Sequence, residues 1–138
     1  MLTADQHLTG ACLCGRLRYR LAPPLTRVNN CHCDQCKRHT GAAFATWVTL
    51  PTEQVAWEGE PVSYFQTSDF AERGFCAGCG SALVWCRLER EAMAISAGTL
   101  DDPSAVTPED HYWGRDELPW LHMEDDLPRY DTSPPKKG

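Results

Sequence analysis

The six residues from Cys31 to Cys36 constrain this chain more than any other stretch. They read Cys-His-Cys-Asp-Gln-Cys, so three thiols lie in one short loop. Cys-x-Cys and Cys-x-x-Cys spacings let two sulfurs reach one metal ion without stretching the backbone, and thiolate sulfur is a soft donor that suits zinc. The loop is therefore predicted to supply three ligands to a single metal ion.

Four further cysteines flank this loop in the sequence. They form two pairs, each followed by a glycine that lets the chain turn tightly past a metal: Cys12-Leu-Cys14-Gly15 and Cys76-Ala-Gly-Cys79-Gly80. Four cysteines around one zinc ion are typical of sites that stabilise a fold, whereas three protein ligands and a replaceable fourth position are typical of catalysis. The pattern favours one closed site and one open site.

Two alternatives remain open at the level of sequence. Cys86 could complete a second four-cysteine site, in which case all eight cysteines would be structural. Some cysteines could instead be buried free thiols, and Cys86 fits this interpretation because Ala82 and Val84 share its face of a predicted strand. We expect Cys86 to lie outside both metal sites.

These motifs resemble those of the glutathione-dependent formaldehyde-activating (GFA, or CENP-V/GFA) family. The matching stretches are Gly10-Ala-Cys-Leu-Cys-Gly15, Cys31-His-Cys-Asp-Gln-Cys36 with Lys37-Arg-His-Thr-Gly41, Phe75-Cys-Ala-Gly-Cys-Gly-Ser81, Gly98-Thr-Leu-Asp-Asp-Pro103, His111-Tyr-Trp113, and Pro119-Trp-Leu121 through Leu127-Pro-Arg-Tyr130. The resemblance extends from Gly10 to Tyr130 and places seven cysteines in the family's order, with Cys86 outside them.

The resemblance implies a mainly β, tent-like or sandwich-like zinc fold with short helical turns. It implies a structural zinc ion on Cys12, Cys14, Cys76 and Cys79, and a catalytic zinc ion on Cys31, Cys33 and Cys36. The implied enzyme is a carbon-sulfur lyase like S-hydroxymethylglutathione synthase, which acts on an adduct of glutathione and formaldehyde. No residue here identifies a tripeptide pocket, so the expected partner is stated more broadly as a small thiol or its adduct with an aldehyde.

The proton-transfer candidates for such a reaction are His32, Asp34 and His39. His32 lies between two predicted ligands, but adjacent side chains of a tight loop diverge. We therefore expect His32 to face solvent or to form hydrogen bonds rather than to bind the metal. His39 lies three residues after Cys36 and, beside Lys37 and Arg38, could face an anionic substrate or simply be an exposed helix end.

An open zinc site on three cysteines also restricts the chemistry. Three thiolates weaken zinc as a Lewis acid, so such a site is a poor generator of hydroxide and ordinary hydrolysis is disfavoured. An incoming thiol would still be deprotonated on binding and could then add to a small aldehyde. A non-catalytic, zinc-structured binding module is the alternative, and closure of the second site by Cys86 would favour it.

Composition limits the partners and the compartment. The chain has 138 residues, which is the size of one domain, and its net charge of −6 opposes binding to a phosphate backbone. No apolar run approaches the ~20 residues that span a bilayer, and the first seven residues do not resemble a signal peptide. We expect a cytoplasmic protein that binds neither nucleic acid nor membrane, and the sequence leaves its oligomeric state open.

The apolar pattern predicts short strands separated by turns, which is typical of an all-β, sandwich-like domain. The predicted strands are residues 16–21, 28–31, 44–50, 55–57, 62–66, 82–86, 92–97 and 111–113. Asp34 is expected to cap a helical turn over residues 35–39 that ends at Gly41. Residues 1–9 are predicted to be a flexible lead-in, residues 10–130 the domain, and residues 131–138 a disordered tail.

Overall fold

The strands of this protein divide between two sheets. A computed structural model describes residues 5–135, and in this range ten strands and one α-helix form. The elements are β1 (Leu8–Ala11), β2 (Leu17–Leu21), β3 (Arg27–Cys31), α1 (Asp34–Thr40), β4 (Ala45–Pro51), β5 (Val55–Gly59), β6 (Ser63–Gln66), β7 (Ala71–Phe75), β8 (Ala82–Arg87), β9 (Ala92–Ser96) and β10 (Asp110–Tyr112). The architecture is mainly β, which confirms the predicted fold class.

The smaller sheet has the order β1-β2-β5, and the larger sheet has the order β10-β3-β4-β9-β8-β7-β6. All neighbouring strands are antiparallel except β10, which pairs with β3 in parallel with His111 opposite Asn30. The remaining helical segments are single 3-10 turns at Thr52–Gln54, Ala97–Thr99, Pro103–Ala105 and Gly114–Asp116. Within residues 5–135, no helix is both long enough and apolar enough to cross a membrane.

Alternation along the strands explains how the two sheets pack. In β2, Leu17, Tyr19 and Leu21 are buried while the arginines between them are exposed, which is the alternation of a half-buried strand. These side chains belong to a hydrophobic cluster that also contains Val48 and Ile95 of the larger sheet. The main core therefore joins the smaller sheet to one face of the larger one.

The other face of the larger sheet carries a second, smaller cluster. Trp47 and Val48 are adjacent in β4, so their side chains lie on opposite faces, and both are buried. Trp47 packs in a cluster with Cys31 and Cys36, whereas Val48 belongs to the main core. This strand is therefore covered on both faces, and the cysteine loop lies on the face opposite the smaller sheet.

The start of α1 differs from the prediction. Cys33, not Asp34, is the capping residue: its backbone is extended, and its sulfur accepts a hydrogen bond from the backbone N–H of Cys36 at 3.3 Å. The Asp34 carboxylate instead accepts a hydrogen bond from Arg38 one turn later, at 2.9 Å. The predicted end is confirmed, because Gly41 has φ +72° and donates its N–H to the carbonyl of Lys37.

The chain ends also differ from the prediction. Leu8 is buried and β1 pairs with β2, so the ordered structure includes residues assigned to the lead-in. Near the other end, the carbonyl of Thr132 accepts a hydrogen bond from the N–H of Trp113 at 2.9 Å. The rest of the predicted lead-in and tail, residues 1–4 and 136–138, lies outside the described residues. The single-domain assignment stays a prediction.

Replacing Gly10 by alanine should lower stability, because β1 approaches its neighbours closely here. A Cβ at Gly10 would clash with the Tyr19 ring and lie 2.5 Å from the carbonyl oxygen of Thr99. We expect a loss of about 2 kcal/mol, or roughly 5–10 °C in Tm, in thermal unfolding. Gly98→Ala is the matched control, since nothing lies within 4 Å of the added Cβ. Equal Tm values for the two variants would contradict this account of the packing.

Candidate metal centres and the adjoining cleft

The two flanking cysteine pairs come together in the structure. The sulfurs of this first group all lie within 4.8 Å of one another and belong to Cys12, Cys14, Cys76 and Cys79. Cys12 follows β1 of the smaller sheet, whereas Cys76 follows β7 of the larger sheet. The group therefore connects the two sheets across 62 positions of sequence between Cys14 and Cys76.

The glycine after each pair makes the required turn. Gly15 has φ +79° and Gly80 has φ +78°, a conformation that side-chain-bearing residues rarely adopt. Each glycine N–H also returns to the carbonyl of the first cysteine of its pair, Gly15 to Cys12 and Gly80 to Cys76. The sequence prediction that these glycines permit tight turns is thus confirmed.

Hydrogen-bond donors surround the sulfurs of the first group. The N–H of Leu17 donates to Cys12 Sγ at 3.4 Å, and the Ser81 hydroxyl lies 3.1 Å from Cys79 Sγ. The hydrogen bonds of Ser81, through its side chain and backbone, lower the pKa of Cys79 to about 5. Such donors favour the thiolate, which is the form that binds metals.

The second group contains three sulfurs, those of Cys31, Cys33 and Cys36, again within 4.8 Å of one another. The end of β3 supplies the first, and the beginning of α1 supplies the other two. Within residues 5–135, no fourth Cys, His, Asp or Glu ligand atom joins this group. The structure thus brings together each of the two sets that the sequence analysis named.

Cys36 is the most strongly contacted sulfur of the second group. The indole N–H of Trp47 donates to its Sγ at 3.4 Å, and Nη2 of Arg73 donates at 3.5 Å. Hydrogen bonds from the Cys31 and Cys33 thiols, and then the charge of Arg73, lower the pKa of Cys36 to about 2. The two neighbouring thiols, with the Arg73 charge behind them, therefore favour the thiolate form of Cys36.

Both groups fit zinc by the chemistry of their donors. All eight cysteines are free, so neither group is a set of disulfides. In the first group, the Cys12–Cys14 and Cys14–Cys76 sulfurs are separated by 3.5 and 3.8 Å. Sulfurs that share one tetrahedral ion at ~2.3 Å would lie about 3.8 Å apart. Both sets of residues could hold a zinc ion.

Cys86 belongs to neither group. It is fully buried in the main core, and the nearest polar contact of its sulfur is the Glu72 carboxylate at 4.0 Å. Burial, and then the Glu72 charge, raise the pKa of the Cys86 thiol to about 11. Cys86 is therefore a core thiol that lies away from the three-sulfur group. The binding-module alternative requires Cys86 to be the fourth ligand of that group, and the structure does not place it there.

His32 is completely buried and does not face solvent. Its Nε2 lies 2.8 Å from Nδ1 of His111, which is a hydrogen-bond distance, and burial lowers the pKa of His32. The other nitrogen of His111 lies 3.1 Å from Asp125. Arg129 then joins Asp125 to Glu117, and Glu117 lies 3.8 Å from His32. Sequence analysis missed this network, because nothing local relates residue 32 to residues 111–129.

The other two proton-transfer candidates lie in different surroundings. The Asp34 side chain is about three-quarters exposed and pairs with Arg38. His39 is half-buried and its ring stacks against Trp47 with centroids 6.2 Å apart. Burial, and then the charge of Arg73, lower the pKa of His39 to about 4. Burial thus favours the neutral imidazole of His39 at pH 7, whereas the Asp34 side chain is exposed to solvent.

A cleft of about 460 Å³ lies between α1 and the β6–β7 edge of the larger sheet. Its lining residues are Gln35, Arg38, His39, Phe65, Gln66, Thr67, Arg73 and Phe75. Arg73 connects the cleft to the three-sulfur group, because the same guanidinium contacts Cys36 and lies 3.4 Å from His39 Nδ1. Sequence analysis overlooked Arg73, because in the run Ala71-Glu-Arg-Gly-Phe75 it follows an acidic residue and nothing local marks it as buried.

Comparisons with known proteins agree with this arrangement. A Schizosaccharomyces pombe protein named as an uncharacterized lyase is 31% identical over 76 residues, 55% of this chain and 55% of that protein. The match thus spans about half the length of the curated relative. A Rhodobacter sphaeroides protein of known crystal structure has the same fold, with a TM-score of 0.55 at 18% identity over 88% of this chain and 99% of that chain.

The family comparison covers more of the sequence. A family model described as glutathione-dependent formaldehyde-activating enzyme matches residues 7–116, a range that contains both groups of clustered cysteines and the cleft. Because this match covers well over half of the chain, the protein belongs to the glutathione-dependent formaldehyde-activating enzyme family.

Proposed function

We propose that this protein is a carbon-sulfur lyase that makes or breaks an adduct between a small thiol and an aldehyde. The observation that carries the proposal is the convergence of the Cys31, Cys33 and Cys36 sulfurs with no fourth ligand among residues 5–135. Three ligands leave a coordination position for a substrate, which a four-cysteine site does not. Membership of the family and the name of the Schizosaccharomyces pombe lyase support the same reaction class.

Two zinc ions are part of the proposal. The closed group of Cys12, Cys14, Cys76 and Cys79 would hold a structural ion, and the three-sulfur group would hold a catalytic one. When bound at the three-sulfur group, zinc supplies stabilisation of a thiolate at neutral pH. The eight free cysteines suit a reducing compartment, and for this reason we place the protein in the cytoplasm.

The chain's own residues would orient the substrate and move one proton. In the cleavage direction, the hydroxyl of the adduct RS–CH(R′)–OH loses its proton while the carbon-sulfur bond breaks. The products are the aldehyde and a thiolate, which takes up a proton to become the thiol, so that atoms and charge balance. Positioned proton transfer of this kind contributes about 10²- to 10⁴-fold in rate.

His39 is the proton-transfer residue that the cleft geometry favours. Its imidazole lies at the wall of the cleft, and its Nδ1 lies 3.4 Å from Nη1 of Arg73. His32 is enclosed by its contacts with His111 and Glu117, so its role in the proposal is to hold the cysteine loop in place. Asp34 does not line the cleft, and its carboxylate is already bonded to Arg38. We therefore assign Asp34 no part in proton transfer.

Serine variants should separate the two proposed zinc sites. We expect Cys76→Ser to lose one zinc ion and to lower Tm sharply. The first group joins the two sheets, so the free energy of zinc binding there stabilises the folded state. Cys36→Ser should also lose one zinc ion but lower Tm much less. Metal content by elemental analysis and Tm by circular dichroism measure both effects. Small and equal losses of Tm in the two variants would contradict the assignment.

Cys86→Ala tests the number of ligands at the second site. The variant should keep the same zinc content as the wild type, because the Cys86 sulfur lies beside Glu72 and not beside the other cysteines. Its Tm should fall slightly, since removing a buried sulfur leaves a small cavity. Loss of one zinc ion from a folded Cys86→Ala protein would instead show a closed four-cysteine site and favour the binding module.

Exchange measurements by NMR test the reaction itself. The zinc-loaded protein should accelerate exchange between free formaldehyde and its glutathione adduct above the uncatalysed rate, and Cys33→Ser should reduce exchange toward that background. A sample without protein supplies the background, and other small thiols replace glutathione in parallel samples. If the fully zinc-loaded wild type gave no exchange above background with any thiol, the lyase proposal would be wrong.

A further inference from the structure

Cys36 differs from the other two sulfurs of the three-sulfur group in the donors that reach it. Its Sγ accepts hydrogen bonds from the indole N–H of Trp47 at 3.4 Å and from Nη2 of Arg73 at 3.5 Å. The other two sulfurs accept backbone N–H groups, Cys31 from Cys33 and Cys33 from Cys36. Among the described residues, no other side-chain N–H reaches the group, so Trp47 on β4 and Arg73 on β7 converge on one sulfur.

His39 holds both of these donors in place. Its ring stacks on Trp47 with centroids 6.2 Å apart, and its Nδ1 lies 3.4 Å from Nη1 of Arg73. Trp47 and Arg73 are also buried, at 4% and 5% exposure. Neither side chain can leave Cys36 without breaking these contacts, so both N–H groups are fixed toward the sulfur before any ligand arrives.

Arg73 is a buried cation whose counter-charge comes from sulfur. A guanidinium keeps its proton in proteins. Within residues 5–135, no acidic side chain forms an ion pair with Arg73, and Glu72, its neighbour on β7, pairs with Arg90 instead. A buried charge is costly unless an opposite charge accompanies it. The sulfurs supply that opposite charge, because three thiolates around one Zn²⁺ would leave the group at about −1.

We propose that Arg73 is a positioning residue that acts through Cys36 and makes the open position of the three-sulfur group favour an anionic thiolate over a neutral ligand. The inference rests on the proposed function, since it concerns the fourth ligand of the metal ion proposed for this group. Negative charge at the group repels an arriving thiolate, and the guanidinium beside Cys36 offsets that repulsion in a place that water screens little. Trp47 donates a hydrogen bond without a charge, so it does not provide this discrimination.

Two probes that differ in charge test the effect at pH 8. 2-Mercaptoethanol binds metals as a thiolate and carries no other charge, whereas imidazole binds as a neutral ligand. We expect Arg73→Gln to weaken the binding of 2-mercaptoethanol by about 10-fold or more and that of imidazole by less than about 3-fold, because the variant loses one nearby charge. Equal losses for the two probes would show a merely structural role and overturn the proposal, as would an unchanged affinity for 2-mercaptoethanol.

Two measurements report on this binding without the reaction. Isothermal titration calorimetry on the zinc-loaded protein gives the affinity for each probe. Substitution of Co²⁺ for zinc gives a visible spectrum, whose change shows that a probe binds at the metal. The four-cysteine group has no open position, so the change reports on the three-sulfur group.

Matched variants separate charge from hydrogen bonding and from folding. Trp47→Phe keeps a ring but loses the N–H, so it should change the affinities for the two probes by the same factor. Arg73→Lys keeps the charge without the planar fork and should restore part of the preference for thiolate. Arg73→Met removes the charge without adding a buried polar atom, and it takes the place of Arg73→Gln if that variant does not fold.

Arg87→Gln is the control for the removal of an arginine, because Arg87 is exposed and pairs with Glu89. It should bind both probes as the wild type does. A folded Trp47→Phe protein that loses the preference for thiolate as fully as Arg73→Gln would overturn the assignment of that preference to the Arg73 charge.

The exchange assay keeps this inference separate from the lyase proposal. A protein whose preference for thiolate depends on Arg73, but which gives no formaldehyde exchange, would overturn the lyase function and leave the inference in place. A protein that exchanges formaldehyde with glutathione, while Arg73→Gln keeps the wild-type preference, would support the lyase function and overturn the inference. We expect exchange in the wild type and a loss of the preference in Arg73→Gln.

Discussion

The fold depends on the close approach of two cysteine pairs that lie far apart in the sequence. Cys14 and Cys76 are 62 positions apart, yet their sulfurs are 3.8 Å from each other. Thiols donate and accept only weak hydrogen bonds, so four sulfurs alone would contribute little to holding the two sheets together. A structural zinc ion contributes about 10–16 kcal/mol in small zinc domains, which exceeds the whole stability of many proteins. A zinc ion bound at this group, as proposed above, would couple the packing of the smaller sheet on the larger one to metal supply.

The three-sulfur group depends on the strand order of the larger sheet. β3 delivers Cys31, its neighbour β4 delivers Trp47, and β7 delivers Arg73 from the far side of β9 and β8. On the opposite side, β10 pairs with β3 and buries His111 against His32. The cysteine loop is thus held by an indole and a guanidinium at one sulfur and by a histidine network behind it. A loop held in this way would keep its geometry while ligands exchange at the proposed open metal position.

Sequence analysis predicted what depends on local pattern. The grouping of cysteines follows from spacings of two or three residues, the turns follow from Gly15 and Gly80, and the half-buried β2 follows from alternation. What it missed depends on tertiary contacts. Asp is a common capping residue, but in this loop the Cys33 sulfur already accepts the N–H of Cys36 in the first turn of α1. Arg73 would face solvent in most strands, and its burial makes sense only once the Cys36 sulfur and the cleft are known.

Charge explains why an arginine is suited to this position. Three thiolates and one zinc ion leave a formal charge of about −1, which would disfavour the arrival of a thiol that must lose its proton. The Arg73 guanidinium 3.5 Å from Cys36 offsets that charge and does so in a buried place where water screens little. A lysine could supply the same charge, but its compact ammonium lacks the planar fork of a guanidinium. The Arg73 side chain would therefore lower the electrostatic barrier to thiolate binding at the proposed zinc site.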